Sequence, residues 1–130
     1  MANEVSYTVS IALRNGSLVD SFTNSTTSAT QTNQLISKNV ESIGFADSQA
    51  LNILSTVILP SGPGAGFAIF RNLDATNFVQ IGVKPASTFY PFIRLLAGES
   101  CLLRLDGTLT AIYAQADTAA VKLFYSVYAV

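Results

Sequence analysis

Along residues 5–13, Val5, Tyr7, Val9, Ile11 and Leu13 alternate with Ser6, Thr8, Ser10 and Ala12. A period of two belongs to a strand with one face turned to a core. Asn15-Gly16 follows, and both residues tolerate the positive φ of a two-residue hairpin turn, so residues 17–22 read as the return strand. The pattern recurs at the far end, where Val121, Leu123, Tyr125 and Val127 share one face of 120–130. Between these lie apolar runs at 35–43, 50–56, 67–71, 78–83, 89–95, 100–105 and 109–115. They are punctuated by GFADSQ, LPSGPGAG, NLDATN, LAGE and Asp106-Gly107. In NLDATN, the side chains of Asn72, Asp74 and Asn77 can bond to nearby backbone and shape the turn. One helical alternative covers 47–54, with Asp47 or Ser48 as its cap, but the β-branched residues of STVIL argue against it. Short strands at spacings near ten, with turn signals between, predict an all-β chain of about nine or ten strands folded as an antiparallel β-sandwich or a barrel.

The expected organisation is one domain over residues 1–130, with 1–4 as a candidate N-terminal arm and 23–34 as a polar loop. That loop, TNSTTSATQTNQ, holds no apolar residue larger than alanine. It reads either as a solvated loop or threonine-rich strand, or as an arm that docks on a neighbour through residues such as Thr26 and Thr27.

Composition changes the picture in one respect. At 130 residues and 49% apolar content a core is available, but only 12% of residues are charged, about half the usual ~25%. A polar, weakly charged surface repels its neighbours poorly, so permanent association is easier. The seven Lys and Arg are scattered along a chain of net charge −1, and no basic patch for nucleic acid is visible. No apolar run reaches the ~18–20 residues of a spanning helix, so no membrane partner is expected. MANEVSYTVSIAL lacks the features of a signal peptide. The single Cys101 fits assembly in a reducing cytoplasm, and the triplets Asn15-Gly-Ser and Asn24-Ser-Thr are then incidental.

Candidate chemistry is sparse. The absence of histidine removes the commonest general base and most zinc and iron sites. A pair of carboxylates is the surviving enzymatic option. The acids are Glu4, Asp20, Glu41, Asp47, Asp74, Glu99, Asp106 and Asp117, mostly in predicted turns where a carboxylate caps backbone amides. The glycines Gly62, Gly64 and Gly66 lead into a strand without a lysine, unlike a phosphate loop. Neither catalytic residue, metal nor cofactor is expected. Cys101 shares a face with Leu103 and Leu105 and reads as a buried, inert thiol. Arg94 and Arg104 can reach Glu99 or Asp106 as surface ion pairs of minor structural weight.

The aromatic residues say more. Phe124 and Tyr128 lie on the second face of the last strand, beside Lys122 and Ser126, while Phe89, Tyr90 and Phe92 crowd one strand across both faces. The outer face of a simple sandwich should be polar. Either a loop or the N-terminal strand covers these rings, or they form a subunit interface. Phe124, Tyr128 and Tyr90, with Thr26 and Thr27, are the candidate contacts. A sugar-binding platform is a third reading.

FAIFRNLDATNFVQIGV, FIRLLAGESCLLRL and LTAIYAQADTAAVKLFYSVYA occur in that order. Together they resemble small virion proteins of tailed bacteriophages. The shared features are a strand ending in a NLDxTN turn, a second closing on IG, a GE turn after an apolar strand, and a final YAxA…VxLxYxV pair. The likeness spans residues 39–130. It implies a jelly-roll-like form of the sandwich and a particle structural protein, most like a capsid decoration or cement protein on the outer capsid surface. The implied partners are a second copy of the chain (as dimer or trimer) and the major capsid protein. A tail, baseplate or fibre component is the alternative, and a carbohydrate-binding module a more distant one.

Overall fold

The computed structural model describes residues 4–24, 27–30, 36–53 and 65–129. The strands read from sequence as one domain divide between two compact units, Met1–Thr32 and Asn33–Val130.

In the first unit, β1 (Glu4–Tyr7) pairs with β4 (Thr27–Thr30), and β2 (Ser10–Asn15) pairs with β3 (Leu18–Thr23). The predicted single strand over 5–13 is therefore two strands with different partners. The hairpin turn forms one residue later than predicted: Asn15 pairs with Leu18 in the ladder, and Gly16, at φ 59°, and Ser17 make the loop. The polar stretch 23–34 contains the strand β4, and Thr27 stands opposite Tyr7 in its register. Thr26 lies outside the described residues. The expected buried face is not found: every residue of β2 and β3 is exposed, Ile11 at 63%.

The second unit holds β5 (Ile36–Ile43), β6 (Gln49–Ala50), β7 (Ala65–Asn72), β8 (Val79–Val83), β9 (Tyr90–Leu95), β10 (Ser100–Arg104), β11 (Tyr113–Ala116) and β12 (Val121–Ala129). Two antiparallel sheets result, β10-β7-β12-β5 and β6-β11-β8-β9. Counted from β5, their orders are 3-8 paired at the centre of 6-3-8-1, and 7-4 at the centre of 2-7-4-5. First pairs with eighth, second with seventh, third with sixth and fourth with fifth. That is the jelly-roll arrangement of a β-sandwich. Over the described part of the helix considered at 47–54, residues 47–53, no helix forms: a bend at 45–47 leads into the short β6. Of the strand predicted over 50–56, Leu51, Asn52 and Ile53 are irregular rather than extended in a sheet, and the remainder, with Gly62 and Gly64, lies outside the described residues. The strand predicted over 109–115 starts only at Tyr113, because the Asp106 carboxylate holds Thr108 N at 2.8 Å and its carbonyl accepts from Leu109 N at 3.1 Å.

The core sits between the sheets. Val121, Leu123, Tyr125 and Val127 alternate inward from β12, as their period predicts, and pack with Phe70, Val79, Ile81 and Leu95. Ala68, Ala114 and Ala116 are the small partners that let the large rings of Phe70 and Tyr125 fit at close-packed density.

The NLDATN, IG and LAGE motifs are the pins of this fold. Asn72 is fully buried, and its Nδ2 lies 2.8 Å from the Asn77 carbonyl and 3.1 Å from those of Leu95 and Leu96. Its Oδ1 accepts from Asp74 N at 2.9 Å. One amide thus ties the end of β7 to the end of β9. The Asp74 carboxylate accepts from Thr76 N and Asn77 N, which holds its pKa below the ordinary carboxylate range. Glu99 closes the LAGE turn by accepting from Leu96 N at 2.8 Å. Gly82 stands where β9 crosses closest: a Cβ there would strike the Tyr90 carbonyl oxygen and lie 2.7 Å from Pro91 Cα.

A candidate interaction face

Strand parity assigns the side chains of β5-β12-β7-β10 that point away from the core. From β5 these are Ile36, Lys38, Val40 and Ser42; from β12, Lys122, Phe124, Ser126 and Tyr128. From β7 and β10 they are Phe67, Ile69, Arg71, Ser100, Leu102 and Arg104. The register sets Phe124 between Val40 and Arg71, and Tyr128 between Ile36 and Phe67. Ile36 and Val40 are 49% and 52% exposed, while Phe124, Tyr128, Ile69 and Leu102 are half-buried. An outer sheet face should be polar in a monomer. This one is not.

Its charges are one-sided. Lys38, Arg71, Arg104 and Lys122, all exposed, are four of the chain's seven basic residues, and none of the outward positions on this sheet is Asp or Glu. Residues scattered in sequence are gathered by the register. Arg104 lies 4.8 Å from the ring centre of Phe67, a cation–π contact that flattens its guanidinium onto the sheet. Arg94, on the other sheet, stacks on Phe78 at 4.4 Å. Both arginines thus engage rings, a correction to the ion pairs considered with Glu99 or Asp106. Those carboxylates are turned to backbone, and the Thr108 hydroxyl and amide keep the Asp106 pKa low.

The candidate contacts read from sequence do not form one cluster. Phe124 and Tyr128 stand together on this face, with the buried Ser126 between them. Tyr90 belongs to β9, the edge strand of the opposite sheet. The crowding of aromatics there has a local cause. The register slips between Ile81 and Gly82, so that Ile93 and Pro91 have partners and Phe92 between them is the extra residue of a β-bulge. Tyr90 and Phe92 are both exposed at that edge.

Sequence reasoning missed the aliphatic residues Ile36, Val40, Ile69 and Leu102, and the convergence of the cations. The period-two parity of each strand was readable. Which strands are neighbours was not.

Elsewhere the polar groups are occupied with one another. Tyr125 OH donates to Glu41 Oε2 at 2.8 Å, and Asn52 N and Gln49 Nε2 donate to the same carboxylate. Burial, with a smaller contribution from the Glu41 charge, pushes the Tyr125 pKa up to about 12. A phenol held neutral and a carboxylate saturated with donors make a structural latch, poorly suited to proton transfer near neutrality. A hollow of about 330 Å³ is lined by Val83, Lys84, Thr108, Thr110 and Tyr113. Its one charge, Lys84, is paired to Asp47 at 3.2 Å. Cys101 is half-buried against the core, and burial raises its thiol pKa. Among the described residues, no three of His, Cys, Asp and Glu come together as metal ligands, and no helix is long and apolar enough to cross a membrane.

Compared with protein families, curated proteins and solved structures, the chain matches none.

Proposed function

We propose that this chain is a non-enzymatic structural protein of a virion, a capsid decoration protein that seats the β5-β12-β7-β10 face on the outer surface of the shell. The observation that carries the reading is that face: a rigid sheet whose outward side is apolar at its centre and carries cations without a single carboxylate. Such a face fits a protein partner that offers an apolar patch rimmed by Asp and Glu. The apolar contact supplies affinity, at ~25 cal/mol per Å² removed from water, and the charges set orientation and encounter rate. Binding across two or more shell subunits adds its free energy to the closed particle and opposes expansion. The phage resemblance supports the same reading, because its motif residues Asn72, Gly82 and Glu99 hold the jelly roll rigid.

Particles lacking the protein should be compared with complete ones under heating and osmotic shock, with purified protein added back. Added protein is expected to bind finished particles at hundreds of copies and restore resistance. Lys38→Glu with Lys122→Glu should weaken binding at least tenfold, and so should raising salt from 50 to 500 mM, which shortens the reach of exposed charges from about 14 Å to about 4 Å. If depleted particles keep their DNA normally but lose adsorption to the host, the decoration reading fails and a tail or fibre role replaces it.

A further inference from the structure

The β2–β3 hairpin has two unlike faces. Ser10 and Thr23, Ala12 and Ser21, and Arg14 and Val19 are opposed on one of them, with the Ser10 and Thr23 hydroxyls 3.1 Å apart. The other carries Ile11 opposite Phe22, Leu13 opposite Asp20, and Asn15 opposite Leu18. A hydrogen bond from Asn24 N to the Val9 carbonyl, at 3.0 Å, extends the ladder and adds Val9 to this second face. Val9, Ile11, Leu13, Leu18 and Phe22 are 43% to 63% exposed. A two-stranded ribbon is marginal in water by itself, and no residue of this hairpin is buried.

We infer that this apolar face is a dimerisation surface, whose occupant is the same face of a second copy of the chain. Two arguments select that occupant. The first is chemical: with Asp20 as its one charge, the face offers little for a charged partner to read, and its complement must be equally apolar and equally narrow. A second copy meets both conditions. Two such ribbons stacked ~10 Å apart make a small two-layer core from five apolar residues of each copy. The second is area. Ten half-exposed side chains with on the order of 100 Å² each still accessible would bury about 1,000 Å² in total, at the lower limit for specific association. The dimer is accordingly weak and reversible. Asp20 weakens it further, since stacking takes a carboxylate out of water beside Leu13. This surface belongs to the first unit and the cationic sheet face to the second, and the inference does not depend on the virion reading.

Sedimentation velocity of the full chain from about 1 to 100 μM tests it. A monomer–dimer equilibrium in the micromolar range is expected. Ile11→Asp and Phe22→Asp should each weaken dimerisation at least tenfold, with the thermal melt of the second unit unchanged. Asp20→Leu should tighten it severalfold, an effect in the opposite direction that misfolding cannot imitate. Lys38→Glu with Lys122→Glu should leave it unaltered. A wild-type monomer at 100 μM overturns the inference. So does a dimer indifferent to Ile11→Asp and Phe22→Asp, or one dissolved by the lysine substitutions instead. Particle addition by the Ile11→Asp variant, measured separately, shows whether the decoration reading stands or falls independently of the dimer.

Discussion

Strands β2 and β12 carry nearly the same message in sequence and meet opposite fates. Each alternates apolar and polar residues at period two, yet Ile11 on β2 is 63% exposed while Leu123 on β12 is fully buried. The difference lies in neighbours. β12 is flanked by β5 and β7 and faces the second sheet, so its inward residues meet Phe70, Val79 and Ile81. β2 has one partner, β3, and every one of its residues is exposed. Alternation states that a strand has an apolar side; it does not state what that side will touch. In the second unit the answer is another part of the same sandwich. In the first, we infer, it is a second molecule.

The strongest way to break this comparison is to put a charge into each strand. Leu123→Asp places an unpaired carboxylate in the jelly-roll core, at a cost of several kcal/mol against a total stability of ~5–15. It should abolish the cooperative thermal transition by circular dichroism. Ile11→Asp puts the same charge on an exposed face, and the melting temperature should move by less than about 2 °C, as for surface substitutions generally. Equal damage from both would mean that the hairpin is part of the folding core, and the contrast between the units would collapse.

Asn72 sharpens the same point at intermediate cost. Asn72→Ala strands three buried or half-buried carbonyls, those of Asn77, Leu95 and Leu96, and removes the acceptor for Asp74 N. Leaving such groups unpaired should cost about 2–4 kcal/mol, a fall of roughly 10–20 °C in melting temperature for a unit of this size. Asn72→Asp keeps the acceptor but not the donors and should recover little. A loss below 1 kcal/mol in urea unfolding would show that the turn is held by Asp74 alone.

How far the fold was legible can be judged from these residues. Asn72 and Asp74 were readable as turn formers because their chemistry is local, each bonding to backbone within a few positions, whereas the Asn77 side chain meets those of Asp74 and Thr118 instead of backbone. The reach of Asn72 to Leu95 and Leu96 was not, since it depends on β9 returning beside the end of β7. The same limit hid the candidate face. Lys38, Arg71, Arg104 and Lys122 are 18 or more residues apart in sequence for each successive pair along the chain, and only the 6-3-8-1 strand order brings them together. Tyr128 and Phe124 were found because four residues on one strand share a face whatever the topology. The side on which Phe92 falls was not legible for the converse reason: a bulge breaks the parity of its strand.

Alkali offers a gentler probe of the second unit. Burial holds Tyr125 neutral, its pKa pushed up to about 12 from an ordinary value near 10. Because the folded value lies above the unfolded one, the resulting stability is fully present below pH ~10 and is lost as pH rises through 12. Urea unfolding should therefore show a decline in stability over that window, and Tyr125→Phe should remove this part of the slope. In the variant, Glu41 keeps its bonds from Asn52 and Gln49, so the fold should persist at neutral pH. An unchanged alkaline slope would mean that Tyr125 is not the group responsible. Ile11→Asp, on the first unit, should leave the slope as it is.

The smallest effect belongs to Ser126, and its sign is what matters. It lies on the outward side of β12 between Phe124 and Tyr128, is 1% exposed, and its Oγ has no hydrogen-bond partner among the described residues. A buried hydroxyl without a partner costs free energy that a methyl group does not. Ser126→Ala in the isolated chain should therefore leave stability unchanged or raise it by up to about 1 kcal/mol, against the usual trend for buried substitutions. If the face seats on a partner that supplies an acceptor to this hydroxyl, the same variant should bind that partner severalfold more weakly while melting no lower. Neutral stability with weakened binding would make Ser126 part of the contact. Unchanged binding would confine the contact to the exposed residues around it, Ile36, Val40 and the four cations. A stability loss above 1 kcal/mol would show instead that the hydroxyl is paired within the chain, and that this part of the face is already complete in the monomer.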